Sequence, residues 1–135
     1  MSTKISWMIY EDEVFVPYNT YMADGVYTVG DTISKRIQIW NNYKGKNEID
    51  DALNVKLILS FKQYEDNFLL NLLTVRSVDT NTILEPTIDI DRAVYDIGNL
   101  YGNAGGTFKE IELSIGPIPA NLRSELKSLI FYLEY

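Results

Sequence analysis

Residues 26–62 have the sequence VYTVGDTISKRIQIWNNYKGKNEIDDALNVKLILSFK, which gives the clearest structural signal in the chain. Apolar residues alternate with polar ones over residues 33–39, with one interruption, and again over residues 55–61. Such alternation places the apolar side chains on one face of a strand. The polar residues 41–51 between the two runs are typical of an exposed loop. We therefore expect two strands, each with one buried face, joined by this loop.

Other segments also have the pattern of strands. Residues 109–115 alternate in the same way, and residues 126–135 form a final apolar run that we expect to be tied into a sheet. The short apolar run 14–16 is stopped by Pro17. Because proline cannot donate a hydrogen bond to a neighbouring strand, this run is predicted to be an edge or terminal strand.

Three further segments carry weaker signals. Residues 17–25 are predicted to form a loop with a turn at Asp24-Gly25. Residues 68–78 begin as a nearly continuous apolar run, for which length alone leaves helix and strand open, and its β-branched residues favour a strand. Residues 79–107 are rich in turn residues and are expected to contain short strand fragments. Many short strands separated by turn signals predict an all-β sandwich in one domain over residues 1–135.

Composition excludes several classes of function. The 135-residue chain has a net charge of −7 and contains neither cysteine nor histidine. Thiol catalysis, disulfides and Ser-His-Asp catalysis are therefore excluded, and a zinc enzyme is not expected. An acidic chain without a basic cluster repels phosphate backbones, so no nucleic-acid binding is predicted. No apolar stretch is long enough to span a bilayer, and the amino terminus lacks the features of a signal peptide.

The central stretch carries a recognisable set of motifs. It has YTVGD at 27–31, WNN at 40–42, Gly45 in the loop, and ALNV at 52–55. In this order the motifs resemble bacterial and viral immunoglobulin-like domains, in which a Gly-Asp turn opens a strand that ends in Asn. The resemblance implies an immunoglobulin-like β-sandwich of about 7–9 mostly antiparallel strands, with at most one short helix.

A second resemblance is to small accessory virion proteins of tailed bacteriophages, which are often single acidic sandwich domains. It implies a non-enzymatic structural protein, such as a head decoration or a tail or baseplate component, acting through protein–protein contacts. Its partners would be other virion or assembly proteins, with homo-oligomers expected. The location would be the virion, assembled in the host cytoplasm without a signal peptide or membrane insertion.

Aromatic residues form the main candidate site. Tyr18, Tyr21, Trp40 and Tyr43 lie in or near predicted loops, where they would form an interaction surface. Tyrosine and tryptophan are enriched in protein interfaces. They also stack on sugar rings, so a carbohydrate-binding module is the alternative function.

The remaining motifs are interpreted as structural. Asp89, Asp91 and Asp96 are the arrangement nearest to a calcium loop, but they lack the glycine of an EF-hand and are interpreted as solvated acids. Residues 102–106 are rich in glycine but lack the Lys-Ser/Thr of a phosphate-binding loop, and are interpreted as a flexible loop. No catalytic, cofactor-binding or metal-binding residue is predicted.

Overall fold

The computed structural model describes residues 2–17, 21–26, 30, 32–61, 64–89, 91–117 and 126–135. This part of the chain contains strands β1 (Ile5–Glu11), β2 (Val14–Pro17), β3 (Tyr21–Val26), β4 (Ile33–Asn41), β5 (Ala52–Phe61), β6 (Leu73–Ser77), β7 (Thr82–Ile83), β8 (Thr87–Ile88), β9 (Ala93–Leu100), β10 (Thr107–Ile115) and β11 (Leu126–Glu134). One 3-10 segment, Tyr64–Leu72, lies between β5 and β6. These are eleven strands, two of them only two residues long, against the 7–9 expected from the sequence.

The strands form two antiparallel sheets. One sheet has six strands in the order β2-β1-β4-β10-β6-β7, and the other has five in the order β3-β11-β5-β9-β8. The hydrophobic core contains residues from both sheets, including Ile37 and Ile111 from the first and Leu57, Tyr95 and Phe131 from the second. The predicted all-β sandwich is therefore confirmed.

The alternation in the sequence places the core correctly. Ile37 and Ile39 of β4 are fully buried, as are Val55, Leu57 and Leu59 of β5. The two strands belong to different sheets, so residues 42–51 cross from one layer to the other. β10 lies beside β4 in exact antiparallel register and buries its own alternate residues. The prediction that 14–16 form an edge strand is confirmed, since β2 lies at the edge of the six-stranded sheet.

The loop predicted over 17–25 is wrong where β3 begins at Tyr21. The register between β3 and β11 shifts, with Lys127 opposite Gly25 and Ser128 opposite Ala23. Asp24 is therefore the extra residue of a β-bulge. The Asp-Gly pair marks an irregularity within a strand instead of a turn between strands.

The strand predicted over 68–78 is correct only from Leu73 onward. Before it, Leu69 and Leu70 are both buried, which a regular strand cannot do on one face. The 3-10 segment turns both side chains inward. Its residue Asn67 accepts a hydrogen bond from the backbone N of Phe61 at 2.8 Å, which holds the segment against the end of β5.

The strand fragments expected within 79–107 are present as β7, β8 and β9, and their pairing is now defined. β7 pairs with β6 in the first sheet, and β8 pairs with β9 in the second. In the described residues there is no helix with the length and apolar character needed to cross a bilayer.

Candidate interaction face

The outward surface of strands β2, β1, β4 and β10 carries both aromatic and charged residues. Alternation puts these side chains opposite the core, because their neighbours Ile37, Ile39 and Ile111 are buried between the sheets. We call this surface the outer face, and it consists of Ser6, Met8, Tyr10, Phe15, Arg36, Gln38, Trp40, Phe108, Glu110 and Glu112.

A chain of polar contacts crosses the middle of the outer face. Arg36 Nη2 donates to Glu110 Oε2 at 2.6 Å, and Gln38 Nε2 donates to Glu110 Oε1 at 3.0 Å. Trp40 Nε1 in turn donates to Gln38 Oε1 at 3.0 Å. Both oxygens of Glu110 and both polar atoms of Gln38 are therefore engaged, so the four side chains hold one another in fixed positions.

Glu110 is the buried charge of this network, with only 8% of its surface exposed. Burial alone raises the pKa of its carboxyl group, but the hydrogen bonds from Gln38 and Arg36 and the charges of Arg36 and Arg76 outweigh burial. The pKa of Glu110 is therefore lowered below its ordinary value, and the group is ionised at neutral pH.

Arg36 is also held by two aromatic rings. Its guanidinium carbon lies 4.9 Å from the centre of the Tyr10 ring and 5.7 Å from that of Phe15. The two rings meet edge to face, with centres 5.3 Å apart. Cation–π contact on one side and an ion pair with Glu110 on the other restrict the guanidinium to one position.

At the other end of the outer face, Trp40 lies at the centre of an aromatic group. Its ring stacks on Phe108 with centres 4.5 Å apart, and Tyr43 contacts it edge to face at 4.8 Å. A Cβ atom on Gly106 would lie 2.9 Å from the Trp40 ring, so the backbone at Gly106 packs directly against it. Trp40 is consequently half-buried, and Phe108 is the more exposed member of the group.

The structure brings together two of the four aromatic residues predicted as an interaction surface. Trp40 and Tyr43 are in contact, whereas the backbone of Tyr21 lies in the other sheet, in β3. Tyr18 lies outside the described residues. Sequence reasoning missed Phe108, Glu110 and Arg36, although their outward parity in two alternating strands was a usable signal.

The loops beside Trp40 are anchored by two buried asparagines, Asn41 and Asn42. Asn41 Nδ2 donates to the carbonyls of Asp50 and Leu100, and its Oδ1 accepts from the backbone N of Lys4. Asn42 Nδ2 lies within hydrogen-bond distance of three carbonyls, those of Asn47, Gly102 and Asn103. Loop 42–51 and loop 101–106 are thereby joined to each other and to β4. The interpretation of 102–106 as a flexible loop is therefore not supported.

Asp89, Asp91 and Asp96 were the arrangement nearest to a calcium loop. Among the described residues, no group of three or more His, Cys, Asp or Glu side chains is placed to hold a metal ion. Asp89 pairs with Arg92 at 3.6 Å, and Asp96 pairs with Lys56 at 3.0 Å. The ion pair with Lys56 lowers the pKa of Asp96. Asp89 and Asp96 are therefore engaged in surface ion pairs.

A cleft of about 450 Å³ opens between β6, β9 and β10, with Leu84, Ile97 and Ile111 among its lining residues. Its carboxylates already have partners, since Asp79 accepts from the backbone N of Glu110 and Asp96 from Lys56. The outer face, with its exposed rings, is the better candidate for a functional surface. Comparison of the chain with protein families, curated proteins and solved structures finds no match.

Proposed function

We propose that this chain is a non-enzymatic binding domain that acts through protein–protein contacts within a larger assembly, with the outer face as its contact surface. The observation that supports this best is the pre-ordered group Arg36, Gln38, Trp40 and Glu110 between exposed aromatic rings. Arginine, tyrosine and tryptophan are enriched among the few residues that contribute most to binding in protein interfaces. Side chains that are already fixed lose little entropy when a partner binds.

The class of sandwich and the kind of assembly are inferred from the sequence. The motifs of residues 27–55 support an immunoglobulin-like class of sandwich. The resemblance to accessory virion proteins supports a place in a tailed-phage particle, as a head decoration or a tail or baseplate component. A domain that adds a preformed face to an assembly needs no catalytic group, and this chain contains neither cysteine nor histidine.

Carbohydrate binding is less well supported as the alternative. A sugar platform needs aromatic faces that are open to the ligand. Here the Trp40 and Phe108 rings stack on each other, tilted by 27°, and Tyr43 and Gly106 also pack against Trp40. The Trp40 ring is therefore largely covered by the protein's own residues, which makes it a poor platform for a sugar.

Photo-crosslinking in the producing cell tests the proposal. A photoreactive phenylalanine replaces Phe108 on the outer face or, as a matched control, Tyr132 on the outward surface of the opposite sheet. The two side chains are equally exposed, at 39%. We expect protein crosslinks from position 108 and few from position 132. No protein crosslinks from position 108, or equal yields at both positions, would refute the proposal.

A further inference from the structure

We infer that the cleft between β6, β9 and β10 binds a small amphipathic carboxylate, with Lys109 holding the carboxylate group and the apolar lining holding the rest of the ligand. The site is separate from the outer face, and the inference does not depend on the proposed function. The cleft forms where the second sheet stops short, since β8 pairs with β9 only at Ala93 and Val94. Beyond Val94, no described strand covers this edge of β9, and the space between the two sheets is left open there.

Lys109 is a charged residue on the inner side of the first sheet. It lies opposite Ile39 in the register between β10 and β4, two positions before Ile111. Because Ile39 and Ile111 are buried in the core, the parity of β10 directs Lys109 toward the space between the sheets. It is half-buried, lines the cleft, and has no hydrogen-bond or ion-pair partner among the described residues. Lysine is seldom placed toward a core without a partner, so this ammonium group is available to an anionic ligand.

The carboxylates of the cleft limit the charge that the ligand can carry. Two of them, Asp96 and Glu110, are ion-paired with basic residues outside the cleft lining. The third, Asp79, accepts a hydrogen bond from the backbone N of Glu110 at 3.3 Å and forms no ion pair with the described basic residues. One negative and one positive charge therefore remain in the lining, and only the positive group lacks a hydrogen-bond partner. A singly charged carboxylate suits this balance better than a phosphate with two negative charges, which Asp79 would repel more strongly.

The rest of the lining favours a ligand with a short apolar body. Leu84, Ile97 and Ile111 supply apolar surface beside Lys109, and all three pack into or against the core. The cleft volume of about 450 Å³ lies within the range of small-molecule sites. At roughly 30 Å³ for each non-hydrogen atom, the volume of a water molecule in the liquid, the cleft holds about fifteen such atoms. Octanoate, with about ten non-hydrogen atoms, is therefore a suitable probe.

Titration of the protein with octanoate, followed by amide chemical shifts in NMR spectra, tests the site. We expect saturable shifts in residues 77–80, 96–98 and 109–111, with a dissociation constant of about 1–10 mM for a ligand of this size. Acetate has the same charge without the apolar body, so it should bind at least about tenfold more weakly than octanoate. The comparison of these two ligands uses only the parent protein, so it holds even if a substitution at position 109 destabilises the fold.

Substitutions at position 109 test the role of the charge. Lys109→Met removes the charge and keeps a side chain of similar length, and it should weaken octanoate binding at least about fivefold. Lys109→Arg keeps the charge and should bind octanoate within about threefold of the parent. The matched control is Lys46→Met, which removes the same charge from an exposed position outside the cleft and should leave the dissociation constant unchanged.

Three results would overturn the inference. They are the absence of saturable shifts up to about 20 mM octanoate, shifts centred outside the cleft, and equal dissociation constants for the parent and Lys109→Met. None of these results bears on the crosslinking experiment at position 108, so the cleft and the outer face stand or fall separately.

Discussion

Replacing Asn42 by aspartate should separate the two loops that Asn42 joins. The substitution keeps the size and shape of the side chain and suits the positive φ angle of 61° at this position. It changes one thing, because the amide donor becomes a carboxylate oxygen. That oxygen would lie 2.8–3.2 Å from the carbonyls of Asn47, Gly102 and Asn103, all of which are acceptors.

The expected cost follows from these contacts. An amide nitrogen has two hydrogens, so it satisfies two of the three carbonyls fully at any time. Each lost hydrogen bond costs about 1 kcal/mol net, and a buried carbonyl left without a donor costs about 1–3 kcal/mol more. Asn42 is only 3% exposed, so water cannot readily replace the amide. The Asn42→Asp variant should therefore lose about 3–4 kcal/mol of unfolding free energy at neutral pH.

Urea denaturation, followed by tryptophan fluorescence, measures this loss. The matched control is Asn47→Asp, which adds the same charge to the same loop at an exposed residue that contributes its backbone carbonyl to the network. The control should change stability by less than about 0.5 kcal/mol. If the two variants unfold at the same urea concentration, the Asn42 amide does not anchor the loops and the reasoning is refuted.

Three further substitutions test other parts of the structure. The Tyr95 hydroxyl is buried and has no hydrogen-bond partner among the described residues, so Tyr95→Phe should stabilise the protein by about 1 kcal/mol in urea denaturation. Because burial raises the pKa of Tyr95 from 10.0 to about 12, stability should fall as pH rises between these values, and less so in Tyr95→Phe. Glu110→Gln should cost about 1 kcal/mol at pH 7, a value kept small because the paired Arg36 is partly exposed. The pKa of Glu110 in the folded protein lies below 4.5. The stability difference between Glu110→Gln and the parent should therefore disappear as pH falls from 4.5 through this lowered pKa, and a stability difference independent of pH would contradict the prediction. Gly102→Ala should lower the melting temperature, because its Cβ would lie 2.2 Å from the Ile49 carbonyl oxygen. An unchanged melting temperature would show that the two loops are not closely packed there.

The strands that could be predicted are those with one buried face. In β4, β5 and β10 the alternation is a direct record of which side chains lie in the core, so local sequence was sufficient. The 3-10 segment was missed because Leu69 and Leu70 are buried together, and a continuous apolar run does not distinguish its conformations. β3 was missed because its Asp-Gly pair, a turn signal in isolation, is accommodated as a bulge against β11.

The candidate site was harder to predict because it depends on contacts distant in sequence. Glu110 becomes a buried, ionised group only because β10 pairs with β4 in a register that places it beside Gln38. Likewise, Asn42 looks like a turn residue, and its role depends on carbonyls about sixty positions later in the chain. Polar residues give no periodic signal for such partners, so sequence could indicate that these positions were polar but not that they were buried.

Strand β4 connects the loop anchor to the outer face. Its last residue, Asn41, and the following Asn42 fix the two loops, and loop residue Gly106 packs against the Trp40 ring. Loosening the loops should therefore release Trp40 and disturb its stack with Phe108. Asn42→Asp should weaken association through the outer face, although Asn42 itself is buried.

Glu110→Gln should affect the outer face without loosening the loops, because none of the hydrogen bonds of its side chain reaches them. Amide hydrogen exchange in residues 101–106 distinguishes the two variants, with faster exchange expected for Asn42→Asp alone. Equal exchange in both would show that the outer face and the loops are ordered independently.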